Sequence, residues 1–149
     1  MLKIFSSAVD LDIEQLLSVY EEWDLDRLEF LNYLFDEFFR QKDSFVAVWA
    51  PQGRYKAALR IEPYDDGVLL EALSTAPDAR RKGYGYKLVT EVQKYLSNLQ
   101  YSLIYSHIHK KNIPSMELHK KCGFQIFSDS ASYIDGTVTQ NSFTMCYYL

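Results

Sequence analysis

Leu73-Ser74-Thr75-Ala76-Pro77-Asp78-Ala79-Arg80-Arg81-Lys82-Gly83-Tyr84-Gly85 is the stretch on which the fold turns. Ahead of it, Val68 to Thr75 is an apolar run that follows the turn signal Pro63-Tyr64-Asp65-Asp66-Gly67 and reads as a strand. Behind it, Leu88, Val89, Val92, Tyr95, Leu96 and Leu99 recur at helical spacing. A strand that ends in a glycine loop and turns into a helix aims several backbone N–H groups one way, and the helix dipole reinforces them. That is a site for an anion, phosphate above all. Three phosphate-binding patterns can be tried. The P-loop run is missing, and a dinucleotide fingerprint needs a third glycine where Leu88 stands. The pattern Arg/Gln-x-x-Gly-x-Gly/Ala is met by Arg80 to Gly85. Alone, it is also satisfied by an ordinary turn with a solvated basic run.

Outward from this stretch the elements alternate. Met1 to Phe5 reads as a first strand, and Asp10 or Asp12 caps a helix with Ile13, Leu16, Leu17, Tyr20 and Trp23 on its apolar face. Asp26-Arg27-Leu28-Glu29 has capping-box spacing for a second helix, with a stripe of Leu28, Leu31, Leu34, Phe35 and Phe38. The aromatic density of the two helices (Tyr20, Trp23, Phe30, Tyr33, Phe35, Phe38, Phe39) exceeds what one buried stripe requires; it reads first as core packing, with cleft lining by part of it as the alternative. Phe45 to Trp49, Tyr55 to Glu62 and Val68 to Thr75 form an antiparallel meander, with Tyr55, Ala57, Leu59 and Ile61 on one face. Tyr101 to Ile108 is the next strand, Asn112 caps a helix through Lys121, and Gly123 suits a helix C-terminus. Phe124 to Phe127 and Asn141 to Tyr148 close the sheet.

The chain has 149 residues, 48% of them hydrophobic and 24% charged, which fits one globular domain over residues 1–149 and excludes a disordered or collagen-like chain. Cys122 and Cys146 are too few for a disulfide framework and stand in no zinc-type spacing, so a reduced, metal-free, cytoplasmic protein is expected. No apolar run is long enough for a membrane helix. The net charge of −4 argues against nucleic-acid binding. That average conceals a division: residues 1–78 carry 7 Lys and Arg against 16 Asp and Glu, residues 79–149 carry 9 against 4. Either this is composition drift between solvated faces, or, if the fold brings both parts to one cleft, an anionic ligand is drawn to the second part and a cationic one to the first.

A second motif follows the glycine loop. Asn112-Ile113-Pro114-Ser115-Met116-Glu117-Leu118-His119-Lys120-Lys121-Cys122-Gly123-Phe124 matches Asn-x-x-Ala/Ser followed by Leu-Tyr-x-Lys-x-Gly-Phe, with His119 in place of tyrosine. With both motifs in order, the chain resembles the GNAT superfamily of acyl-CoA-dependent N-acetyltransferases. Residues 68–128 carry the detailed match, and the flanks agree only in element order. The resemblance implies an α+β fold: a mixed, mostly antiparallel sheet of six to seven strands flanked by about four helices, with a splayed parallel pair.

It also implies acetyl-CoA as the cofactor. Arg80, Arg81, Lys82, Gly83, Tyr84, Gly85 and Tyr86 then surround the pyrophosphate. Backbone groups near Leu73, Ser74 and Thr75 pair with the pantetheine arm, and Asn112 and Ser115 contribute from the second motif. His119 sits where the family's tyrosine faces the thiolate and is either the proton donor or an exposed helix residue, with Tyr84, Tyr86 or a water as other proton donors. Glu71, read on the same strand face as Leu73 and Thr75, is a base or else the partner of Arg60. His107 is the second candidate base or else a structural strand histidine, and some enzymes of this type have no dedicated base. The acceptor implied is a primary amine of a small molecule or peptide, cationic in view of Glu21, Glu22, Trp23, Tyr64, Asp65 and Asp66. A coenzyme A-binding regulatory module without turnover and an unrelated nucleotide-binding protein are the competing readings. Either a monomer or a homodimer is compatible with the sequence.

Overall fold

The computed structural model describes residues 1–149. Strand β1 (Leu2–Phe5) leads into helix α1 (Ile13–Val19) and helix α2 (Arg27–Tyr33), which continues as a π-helical turn over Leu34–Phe38. The meander β2 (Phe45–Trp49), β3 (Ala57–Tyr64) and β4 (Gly67–Thr75) precedes α3 (Tyr84–Ser97), β5 (Leu103–His109) and α4 (Ile113–Lys121). The chain closes with β6 (Gln125–Ser128), a small hairpin of β7 (Ala131–Ser132) and β8 (Val138–Thr139), and β9 (Ser142–Tyr148). Seven strands form one sheet in the order β1-β2-β3-β4-β5-β9-β6, antiparallel throughout except for β4 and β5. This is the mixed α+β arrangement expected, with four helices; the β7–β8 hairpin is an addition.

Alternation along the strands separates two cores. Phe45, Ala47, Leu59, Ile61 and Leu70 face α3 with Leu88, Val92 and Leu96, whereas Val46, Val48 and Ala58 face α1 and α2 with Leu16, Phe30, Leu34 and Phe38. Asp12, Asp26 and Asn112 cap α1, α2 and α4, each accepting a backbone N–H three residues on.

Three local expectations are corrected. Along α2 and the π turn the buried residues are Phe30, Leu34 and Phe38, four positions apart, while Leu28 and Phe35 are exposed. Tyr55 lies before β3 and packs with the α1–α2 core, not with Ala57, Leu59 and Ile61. The turn expected over Pro63 to Gly67 shrinks to Asp65-Asp66, with β3 running through Tyr64 and Asp65 taking a φ of 48°.

Gly67 starts β4 where it meets β5, and a Cβ there would overlap the carbonyl oxygen of Leu103. Gly67→Ala is therefore expected to lower stability by about 1–3 kcal/mol as the parallel pair is pushed apart. Urea denaturation reads this directly; an unchanged midpoint contradicts the close approach.

Candidate active site

The site starts from the turn between β4 and α3. Gly83 caps α3 with φ at +79°, Arg81 has φ at +63°, and no side chain caps the helix. The amides of Tyr84, Gly85 and Tyr86 donate to no other group of the protein, so the helix presents its positive end uncovered. A Cβ at Gly83 would meet nothing within 4 Å. At Gly85 a Cβ would come within 3.2 Å of Leu118 Cδ2. The concavity in front of the helix is lined by Thr75, Arg81, Gly83, Tyr84, Gly85, Tyr86, Pro114 and Lys121. It suits a diphosphate: main-chain donors at its floor, two cations at its wall. Lys121, which motif reading passed over, lies 4.8 Å from the Tyr86 ring centroid. Arg80 turns away to pair with Glu22 at 2.6 Å, and Lys82 lies outside the lining.

A second concavity lies between β4 and β5, and Thr75, at the end of β4, lines the cradle. The two strands are paired only over Val68–Leu70 and Ile104–Ser106, and β4 continues to Thr75 while β5 continues to His109. The edge of Glu71–Thr75 facing β5 has no strand partner, which leaves main-chain groups for an extended ligand to pair with. The cleft is lined by Trp23, Glu71, Leu73, Ser106, His107, Asn112, Ser115, His119 and Tyr133, among others. Leu73, Asn112 and Ser115 thus meet there, and Thr75 lies in the cradle. The side chain of Ser74 does not take part: its hydroxyl donates to the Val19 carbonyl and accepts from Trp23 Nε1.

Glu71 is in the cleft, but on the other strand face from the one expected. A β-bulge shifts the β3–β4 register, with Ala72 at a φ of 55°. Leu70 and Leu73 consequently share the α3 core, while Ala72 packs with the α1–α2 core and Glu71 faces Arg60. The Arg60 guanidinium also lies over the Tyr33 ring, and its Nε is 3.6 Å from Glu71 Oε1 without a hydrogen bond between them. Burial outweighs the attraction to Arg60, Glu62 adds repulsion, and the Glu71 carboxyl is pushed up to about 7.

His119 is 2% exposed, not a surface helix residue. Its Nδ1 is 2.7 Å from the Ser115 carbonyl oxygen, which can only accept, so Nδ1 carries the proton. Nε2 lies 3.0 Å from Ser106 Oγ and, in the neutral ring, accepts from it. Burial holds His119 below the usual histidine range, and the Ser115 carbonyl partly offsets this. His107, also lowered by burial, contacts Thr144 Oγ1 through Nδ1 at 2.9 Å and leaves Nε2 without a partner.

Of the six residues expected around a cationic acceptor, only Trp23 lines the cleft. Tyr64 and Asp65 line a separate depression with Tyr105 and Ser128, and Asp66 accepts from the Tyr105 hydroxyl. Glu21 lies beside Arg54 and Lys56, and Glu22 is held by Arg80. Beside the cleft, Trp23 also walls an aromatic pocket with Tyr20, Phe30 and Tyr33, edged by Asp26, Glu29 and Arg60. No helix is long and apolar enough to cross a membrane.

The family model described as the acetyltransferase (GNAT) family matches residues 10–124. No curated protein matches the sequence. Among solved structures, a ribosomal-protein-alanine N-acetyltransferase from Brucella melitensis superposes with a TM-score of 0.75 at 18% identity, over 100% of this chain and 99% of that one. A mutant spermidine N-acetyltransferase from Vibrio cholerae gives 0.77 at 16% identity, over 99% and 94%. A Bacillus subtilis acetyltransferase in complex with CoA gives 0.68 at 16% identity, over 100% and 99%. At these identities the likeness is one of fold.

The raised carboxyl of Glu71 has a consequence for folding. Its folded value, about 7, exceeds the ordinary 4.5, so its contribution is fully present below pH 4.5 and is lost as pH rises through 7. Relative to wild type, Glu71→Gln should therefore gain roughly 1–3 kcal/mol between pH 5 and pH 8. Urea titrations of both proteins across that window measure the difference; parallel curves would show that the carboxyl is not displaced.

Proposed function

Since the chain belongs to the acetyltransferase (GNAT) family, whose acetyl donor is acetyl-CoA, we propose that it acetylates a primary amine by direct attack with both substrates bound. The observation that carries this reading is the continuity of an uncovered helix N-terminus with a strand pair that opens after three residues. The thioester of acetyl-CoA supplies the activated acetyl group. The amides of Tyr84, Gly85 and Tyr86, with Arg81 and Lys121, hold the diphosphate. The free edge of Leu73–Thr75 takes the pantetheine arm, flanked by Asn112 and Ser115. Held this way, reaction within the cleft gains from orientation instead of chance encounter.

Glu71 acts as the base. A carboxyl near 7 is half ionised at neutral pH and has the proton affinity suited to drawing a proton from an ammonium through water. His119 is the proton source on the thiol side, in the position the family usually gives to tyrosine. The acceptor is a cationic amine of a small molecule or peptide, received on the Trp23 side. The aromatic walls of Tyr20, Trp23 and Tyr33 and the carboxylates of Asp26 and Glu29 support that choice.

The test is thermal stabilisation by acetyl-CoA, followed by thiol release with putrescine, spermidine, glucosamine, lysine amide and a peptide with free N-terminal alanine. Saturating donor, at about 100 times its Kd, should stabilise by about 2.7 kcal/mol, and Gly85→Ile should weaken that response. Glu71→Gln should slow transfer at least about tenfold and remove the pH limb near 7. Stabilisation without thiol release from any amine would mean a coenzyme A-binding module instead; no response to acetyl-CoA defeats the reading altogether.

A further inference from the structure

His119 cannot present a proton to the cleft by itself. Its Nδ1 proton is held by the Ser115 carbonyl within α4, and its Nε2 faces the hydroxyl of Ser106 on β5. Ser106 and His119 are 3% and 2% exposed, and both line the gap between β4 and β5. Ser106 sits opposite Leu70, at the last paired position before the strands part. No other side chain approaches its hydroxyl within hydrogen-bond distance. The arrangement has the logic of an activated hydroxyl: an oxygen, an imidazole in reach of it, and a third group fixing the ring.

We propose that Ser106 is a catalytic residue, the group that passes a proton to the departing sulfur while His119 replenishes it; this rests on the acetyltransferase reading above. As the carbon–sulfur bond breaks and its electron pair goes to sulfur, Ser106 gives its Oγ proton to sulfur. In the same event Oγ takes the Nε2 proton of protonated His119, leaving a neutral ring. The proton removed from the amine nitrogen leaves through Glu71 to solvent, and a solvent proton restores His119, so the exchange balances. The imidazolium needed is fully hydrogen-bonded, Nδ1–H to the Ser115 carbonyl and Nε2–H to Ser106 Oγ. Negative charge growing on sulfur favours it. Ser106 thereby does the work that the tyrosine hydroxyl would do, from the neighbouring strand.

Three measurements test this. In the free protein, 15N NMR of the histidine rings should show His119 with Nδ1 protonated and Nε2 hydrogen-bonded, and Ser106→Ala should shift Nε2 alone. In single-turnover transfer to putrescine, or to whichever amine of the series reacts, a proton inventory in mixed H2O and D2O should be bowed for wild type, with two protons in flight. Ser106→Ala should be slower by about 10- to 100-fold with a linear inventory and coenzyme A affinity within about twofold, and Ser106→Thr should recover most of the rate. A linear wild-type inventory, a neutral His119 ring protonated at Nε2 and not at Nδ1, an unchanged Ser106→Ala rate, or a rate loss matched by lost coenzyme A affinity each overturns the assignment. Those outcomes leave the acetyltransferase reading standing. Absence of thiol release from wild type with every amine overturns both.

Discussion

Three residue pairs hold β4 and β5 together, and everything functional in the molecule follows from their number being so small. A parallel pair that continued would bury the edge of Glu71–Thr75 in a ladder and leave no gap. It stops because β4 is pulled towards β3 at the Ala72 bulge, and the hydroxyl of Tyr20 anchors the Ala72 carbonyl from the end of α1 at 2.6 Å. Beyond that point the strands diverge, β4 towards the α3 loop and β5 towards the start of α4. Backbone groups that a sheet would normally consume are thereby kept for a ligand. Gly67, at the other end of the pair, lets the strands touch closely before they part.

The bulge also reorganises the chemistry. One inserted residue turns Glu71 onto the α1–α2 side, against Arg60 and close to Glu62, instead of beside Leu73. Burial raises the Glu71 carboxyl more than the Arg60 guanidinium lowers it, and the nearby Glu62 carboxylate adds to the rise. On the opposite wall, α4 and β5 press His119 and Ser106 into contact. The cleft therefore has a carboxyl on one side and an imidazole–hydroxyl pair on the other, set by two packing events on different faces of the sheet.

The loop and the second motif are readable in the sequence because their determinants are local. Gly83 and Gly85 answer to backbone geometry, and Asn112 caps its own helix. The order of the strands is legible for the same reason, since turn residues mark their ends. What cannot be read depends on neighbours far away in sequence. Glu71-Ala72-Leu73 looks like regular alternation until β3 dictates the bulge. Leu28 and Phe35 are exposed while Phe30, Leu34 and Phe38 are buried, an outcome of packing against β2 and β3 that no local signal marks. Tyr64, Asp65 and Asp66 carry the right charge for an amine, yet β3 delivers them to a different face. Ser106 and His119 are 13 positions apart on separate elements, and nothing in either segment announces the other.

The pairing of Arg80 with Glu22 removes the first cation of the loop from the anion's reach. What remains at the mouth of the cleft is chiefly main chain, and amide dipoles have no proton to gain or lose near neutrality. The inner end, by contrast, is built of the Glu71 carboxyl, pushed up by burial to about 7, and the His119 imidazole, pushed down by burial. Under the roles proposed above, a change of pH would therefore idle a loaded protein instead of emptying it.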